Sequence, residues 1–237
     1  MNTAHSYLRE AAIADRMNTI PRRSIDTGTN PDLSIVFVAK DDVSLRDALQ
    51  LLIKPPAWQL ETIASPEDIL SRPLVAVPCC LMLDVTRRGR AGLDTQRRLA
   101  PRTELPIIFV AEHADVPLIV QAMKAGAAEF LIKPLKSEAV LTALREAIER
   151  SRAALLAAAE LGVLRSRYAS LTARERDVMG SVICGLLNKQ VAAELGISEV
   201  TVKRHRGRVM RKMSAASLPD LVTIGARLGL QSSRRPS

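Results

Sequence analysis

From Leu33 onward, short continuous apolar runs alternate with stretches in which apolar residues recur every three or four positions. The runs SIVFVA, WQLETIA, CCLML, PIIFVA and EFLI have the length of strands, and most are rich in branched side chains. Between them, amphipathic spacing predicts helices over 44–53, from Ser65, around Leu93 to Leu99, over 116–125 and from Ser137. The Ser65 start has a capping hydroxyl, Pro66 at the first helical position and an acid, Asp68, at the third. Strands joined by helix-length crossovers form a parallel sheet with helices on both faces. The pattern therefore predicts an α/β fold, a doubly wound five-stranded parallel sheet. Ligand chemistry in such a sheet gathers at the carboxyl ends of the strands.

The helix from Ser137 continues beyond this unit. Leu141, Leu144, Ile148, Ser151, Leu155 and Ala158 follow alternating spacings of three and four, a heptad-like seam interrupted by Ser151 and closed by Gly162. Such a helix either pairs with its twin or packs on its own domain. A second pattern starts at Leu171. Thr172 and Glu175 form a capping box opening a helix through Cys184, and Asn188 opens a short helix through Leu195. Gly196 makes a turn, Ser198 caps a helix to Met213, and Ser217-Leu218-Pro219-Asp220 opens a fourth. A short helix, a glycine turn and a longer helix make a helix-turn-helix. The expected organisation is a flexible extension over 1–32, with Met17 as an alternative start, an α/β domain over 33–150 and a helical linker over 151–167. An all-α four-helix domain over 168–232 and a basic tail over 233–237 follow.

Composition adds that any core is aliphatic, since hydrophobic residues make up 47% of the chain and aromatics 3%. The net charge of +9 does not by itself choose between nucleic acid and membrane. Its distribution does. Residues 32–150 carry 15 basic and 16 acidic side chains, whereas 170–237 carry 12 and 5. A near-neutral domain followed by a basic one points to separate control and polyanion-binding parts. Cys79, Cys80 and Cys184 fit neither a bridge framework nor a metal-ligand spacing, which predicts a reducing compartment, with the adjacent pair buried. Arg9 and Glu10 interrupt the amino terminus, and no run reaches the ~18 apolar residues of a membrane span. A soluble, cytoplasmic protein without membrane contact is expected. The first strand is followed by AKDDVS and not by a glycine-rich loop, which argues against a dinucleotide- or nucleotide-binding enzyme.

The strand ends carry Asp41 and Asp42, Asp84, Ala111, and Lys133-Pro134. Carboxylates facing a lysine suit a hard divalent cation and a phosphoryl group: oxygens bind Mg²⁺ and the ammonium neutralises phosphate. With LMLDV, the AGL that follows it and VPLIVQAMKAGAAEFLIKP, the segment resembles the flavodoxin-like receiver domain of two-component response regulators. That resemblance implies Asp84 as phospho-acceptor, Asp41 and Asp84 as Mg²⁺ ligands and Lys133 as the phosphate-contacting lysine. It also implies Phe130 at the aromatic switch position and a cis peptide before Pro134. Three departures stand out. Counted back from Arg46, Lys40 takes the first position of the family's acidic pair; Ala111 replaces a hydroxyl residue; and Arg87, Arg88 and Arg90 follow Asp84. Two readings stay open. Either Asp84 is phosphorylated, with Lys40 or Arg87 supplying counter-charge, or the receiver is degenerate and is controlled by docking of a sensor or other protein partner.

The run LTARERDVMGSVICGLLNKQVAAELGISEVTVKRHRGRVMRKM resembles the LuxR-type helix-turn-helix of NarL/FixJ response regulators. Its third helix stands on its own physical reading. Val202, Val209 and Met213 recur on one side, leaving Lys203, Arg204, Gly207, Arg208 and Arg211 outward. A helix with a basic outer face suits the major groove. Thr201, Lys203, Arg204 and Arg208 are candidates for base edges, and Lys189, Arg206 and Arg211 for phosphates. His205 is expected to pack or touch phosphate, and Gly207 costs about 1 kcal/mol of helix propensity. The expected function is a non-enzymatic transcription regulator. Its expected partners are a pseudo-palindromic double-stranded DNA site bound as a homodimer, and a sensor histidine kinase or other sensor protein.

Overall fold

A computed structural model describes residues 33–39, 42–53, 58–66, 68–71, 76–86, 90–113 and 115–230. Lys40, Asp41, Glu67, Arg87 and Arg88 lie outside the described residues, as do the extension 1–32, the tail 233–237 and the side chain of Arg90. The elements are β1 (Ser34–Ala39), α1 (Val43–Leu52), β2 (Trp58–Ile63), α2 (Asp68–Ser71), β3 (Cys79–Asp84), α3 (Arg90–Leu99) and β4 (Ile107–Ala111). They continue with α4 (Val116–Lys124), β5 (Glu129–Ile132), α5 (Ser137–Ala169), α6 (Ala173–Ile183), α7 (Asn188–Leu195), α8 (Glu199–Met213) and α9 (Leu218–Arg227).

The five strands form one parallel sheet in the order β2-β1-β3-β4-β5. β1, β3 and β4 are buried along their whole length, which is why their sequences run apolar without alternation. The period of two sorts their side chains onto two faces. Ile35, Phe37, Leu81, Leu83 and Phe109 meet Ile69 of α2, Leu93 and Leu99 of α3 and Ala122 of α4. Val36, Val38, Cys80, Met82 and Val110 meet Leu45 and Leu49 of α1 and Val140, Leu144 and Ile148 of α5. α3 passes close to the end of β3: a Cβ on Gly92 would stand 2.5 Å from Val85 Cγ1, so any larger residue there forces the Val85 side chain to shift. Cys79 and Cys80 are buried as expected, and burial pushes the Cys79 thiol up to about 11.

The Ser65 helix is shorter than its signals suggest. α2 has four residues; the Asp68 carboxylate accepts the Ser65 N–H at 2.9 Å, and the Arg102 guanidinium donates to the carbonyls of Ile69 and Leu70. α5 sharpens the seam in two ways. It runs unbroken through Gly162, because a helical glycine costs only about 1 kcal/mol and the flanking residues, Leu161 and Val163, continue the turn. In addition Leu144, Ile148 and Ser151 face the sheet. Ser151 accepts the Cys79 N–H at 2.9 Å and donates to the Glu104 carbonyl, so the polar residue in the seam is an anchor to the sheet.

The end of α5 contributes Leu164 to a separate core with Val178, Met179 and Val182 of α6, Val191 of α7, Val202, Val209 and Met213 of α8, and Leu221 of α9. The capping box at Thr172 and Glu175 forms as expected. Gly196, at φ 65°, turns the chain from α7 into α8, whose Ser198 cap accepts the Thr201 N–H. Among the described residues no helix is long and apolar enough to cross a membrane.

Candidate functional site

Asp84 ends β3 at the centre of the sheet and is 8% exposed. Its Oδ2 accepts from Lys133 Nζ at 2.6 Å, and its Oδ1 accepts the Thr86 N–H at 2.8 Å. Lys133 follows β5, and its N–H donates to the Ala111 carbonyl at 2.8 Å, extending the β4–β5 ladder by one rung. From there its side chain reaches across the end of β4 to β3. Its Nζ also lies 3.4 Å from Ser44 Oγ and 4.0 Å from a Glu112 carboxylate oxygen. The expected cis peptide joins Lys133 and Pro134. Burial disfavours the Asp84 charge, but the hydrogen bonds from Lys133 and Thr86 together outweigh it and hold the carboxyl below its ordinary range. The group at the end of β3 is therefore an ionised carboxylate with a cation alongside, an arrangement able to act as a nucleophile and to balance charge added to it. Phe130 is half-buried, its ring 6.1 Å from that of Phe109. Ala111 is buried and brings no hydroxyl. Asp42 directly precedes α1, while its neighbour Asp41 falls outside the described residues.

On α8, Val202, Val209 and Met213 are buried, and Lys203, Arg204, Gly207, Arg208 and Arg211 are exposed. Lys189 is exposed on the first turn of α7. Two of the candidate side chains also make contacts within the domain. The Thr201 hydroxyl lies 2.9 Å from Ser198 Oγ within the helix cap, and Arg206 donates to Asn188 Oδ1 at 3.2 Å, tying α8 to α7. Lys212 reaches the other way, to the buried Glu175 carboxylate at 2.6 Å and to the Ser170 carbonyl.

Sequence reasoning did not single out Thr86 or the exposed Val200, nor Asn188 as the partner of Arg206. Val200 is 76% exposed in the first turn of α8, beside Lys203 and Arg204, and only its apolar character at an outward position signals it. Thr86 stands two residues after Asp84, among arginines that draw the eye first.

Residues 36–145 match the family described as response regulator receiver domain, and residues 169–224 match bacterial regulatory proteins, luxR family. Nodulation protein W of Bradyrhizobium diazoefficiens is 42% identical over 198 residues, 83% of this chain and 87% of its own. Response regulator protein TmoT of Ectopseudomonas mendocina is 38% identical over 200 residues, 84% and 91% of the two chains. The solved structure of response regulator StyR superposes with a TM-score of 0.65 at 37% identity, covering 82% of this chain and 98% of that one.

Proposed function

We infer the working of this protein from one premise: the chain belongs to the NarL/FixJ-type response regulators, transcription factors that join a receiver domain to a LuxR-type DNA-binding domain. It is a DNA-binding transcriptional regulator of a two-component system, a family in which control by phosphorylation is the norm. We propose that Asp84 is the phospho-acceptor, and the observation that carries this is its 2.6 Å pair with Lys133. In the transfer an Asp84 carboxylate oxygen attacks phosphorus, and the bond from phosphorus to the donor's nitrogen or oxygen breaks. The leaving group keeps that electron pair, and the Lys133 ammonium stays protonated against the new charge. Receiver domains typically bind Mg²⁺ at this position. Here the carboxylates of Asp84 and Asp41 would hold it, the held charge on Asp84 suiting a hard cation, and the bound ion would neutralise phosphoryl oxygens.

In the helical domain we assign Lys203, Arg204 and Arg208 to base edges, Lys189 and Arg211 to phosphates, and Gly207 to close approach of the helix. Arg206 also ties α8 to α7 through Asn188, and Thr201 lies beside Ser198 in the cap of α8. Val116, Val120 and Met123 lie exposed at i, i+4 and i+7 on α4, an apolar stripe fitted to a second copy of the chain. The homodimer would span a pseudo-palindromic DNA site in the cytoplasm, with a sensor histidine kinase as phosphate donor.

A second reading has Ala111 behind it: without a hydroxyl at that place, control passes to a docked sensor protein. Incubation with acetyl phosphate and Mg²⁺ separates the two. The phosphate reading expects one label per chain on the wild type and none on Asp84→Asn; an unlabelled wild type leaves the docking reading.

A further inference from the structure

Thr86 makes two connections at once. Its N–H donates to Asp84 Oδ1 at 2.8 Å, and its hydroxyl oxygen accepts the Glu112 N–H at 3.0 Å. The Thr86 side chain also helps to hold the charge on Asp84. A hydroxyl has one proton and two lone pairs. Here a lone pair serves the first backbone amide after β4, and the proton can turn towards a charged oxygen at the end of β3. Glu112 opens the short connection to α4, while Ala111, the last residue of β4, offers only a methyl group.

Resting on the phosphate reading above, we propose that the Thr86 hydroxyl is the group through which a phosphoryl group on Asp84 is sensed at the start of the β4–α4 connection. Phosphorylation places oxygens carrying about 1.5 to 2 negative charges beside this hydroxyl. Hydrogen bonds to charged acceptors are roughly twice as strong as neutral ones. The Thr86 O–H and the Glu112 N–H therefore both turn to the phosphoryl oxygens, and the neutral bond between them is given up. The chain between Glu112 and α4 shifts with it, carrying the first turn of α4 and its exposed Val116 and Val120. Thr86 is thus a positioning residue, placed so that the missing side-chain hydroxyl of β4 is supplied from the neighbouring strand's exit.

The test follows amide exchange over residues 110–124 of the full chain, before and after labelling with acetyl phosphate and Mg²⁺, normalised per labelled molecule. The wild type should show a several-fold change in exchange over this segment. Thr86→Val, of equal shape without the hydroxyl, should lose most of that change, and Thr86→Ser should restore it. An undiminished response in labelled Thr86→Val overturns this inference alone. So does a labelled wild type whose segment does not respond, and so does a Thr86→Val chain that takes no label, which would place the hydroxyl in the transfer itself. A wild type that takes no label removes the phosphate reading and this inference with it.

Discussion

At Asp84, burial and hydrogen bonding oppose each other and hydrogen bonding wins, because a single ammonium at 2.6 Å and two groups from Thr86 act on one carboxylate. Comparable selectivity among residues is expected on α8. Lys203 lies outward in the second turn, within reach of base edges, whereas Lys189 sits at the start of the neighbouring helix. Lys203→Ala should reduce the preference for a selected DNA site over random DNA, by about 1–3 kcal/mol if its contact is a good bidentate pair. Lys189→Ala should weaken both alike. Competitive binding to the two DNAs reads this directly, and an equal loss for Lys203→Ala would show that the groove assignment is wrong. Lys133 and Asp84 were legible in the sequence because strand ends of a parallel sheet converge whatever the details. The partner of Arg206 within the domain was not: only the folded position of Asn188 shows that its carboxamide accepts from the guanidinium.

Elements were legible where the cap and the period agreed, as for α6, whose Thr172 and Glu175 box forms as expected. For α5 the sequence showed a helix running past the α/β unit but not which of its two packings it takes, because the hydrogen bonds of Ser151 to Cys79 and Glu104 leave no trace in local sequence. The α6–α8 contact carries a pH dependence. Lys212, then the Thr172 N–H, hold the Glu175 carboxyl below its ordinary range. A carboxyl lowered in the folded state contributes stability above its unfolded pKa of about 4.3 and loses it as the pH falls through the lower folded value. Glu175→Gln should therefore be less stable at neutral pH and lose less stability on acidification from about pH 5 to 3. Lys212→Ala should cost about 1–3 kcal/mol at neutral pH, by leaving a buried acceptor without its cation. Urea unfolding read from amide exchange in α6 to α8 measures both, and an unchanged acid limb in Glu175→Gln would remove Glu175 as the source.

For the whole molecule, charge distribution matters more than total charge: residues 32–150 are nearly balanced, and the excess lies in 170–237. DNA affinity should therefore fall steeply with salt, on the order of 10³-fold or more between about 50 and 200 mM for roughly 6–10 phosphate contacts per dimer. A flat response would contradict the placement of Lys189 and Arg211 on phosphates. The unbroken α5 adds a mechanical consequence. It begins four residues after Lys133, is pinned by Ser151, and ends with Leu164 locked into the helical core. At about 1.5 Å per residue the part of α5 beyond the Ser151 anchor, 18 residues to Ala169, is a lever of ~27 Å, so a tilt of about 5° at the anchor displaces its far end by ~2 Å. That is a large part of the ~3.4 Å rise of one base-pair step, so under the proposed phosphate control a small rearrangement beside Asp84 would change how α8 meets DNA.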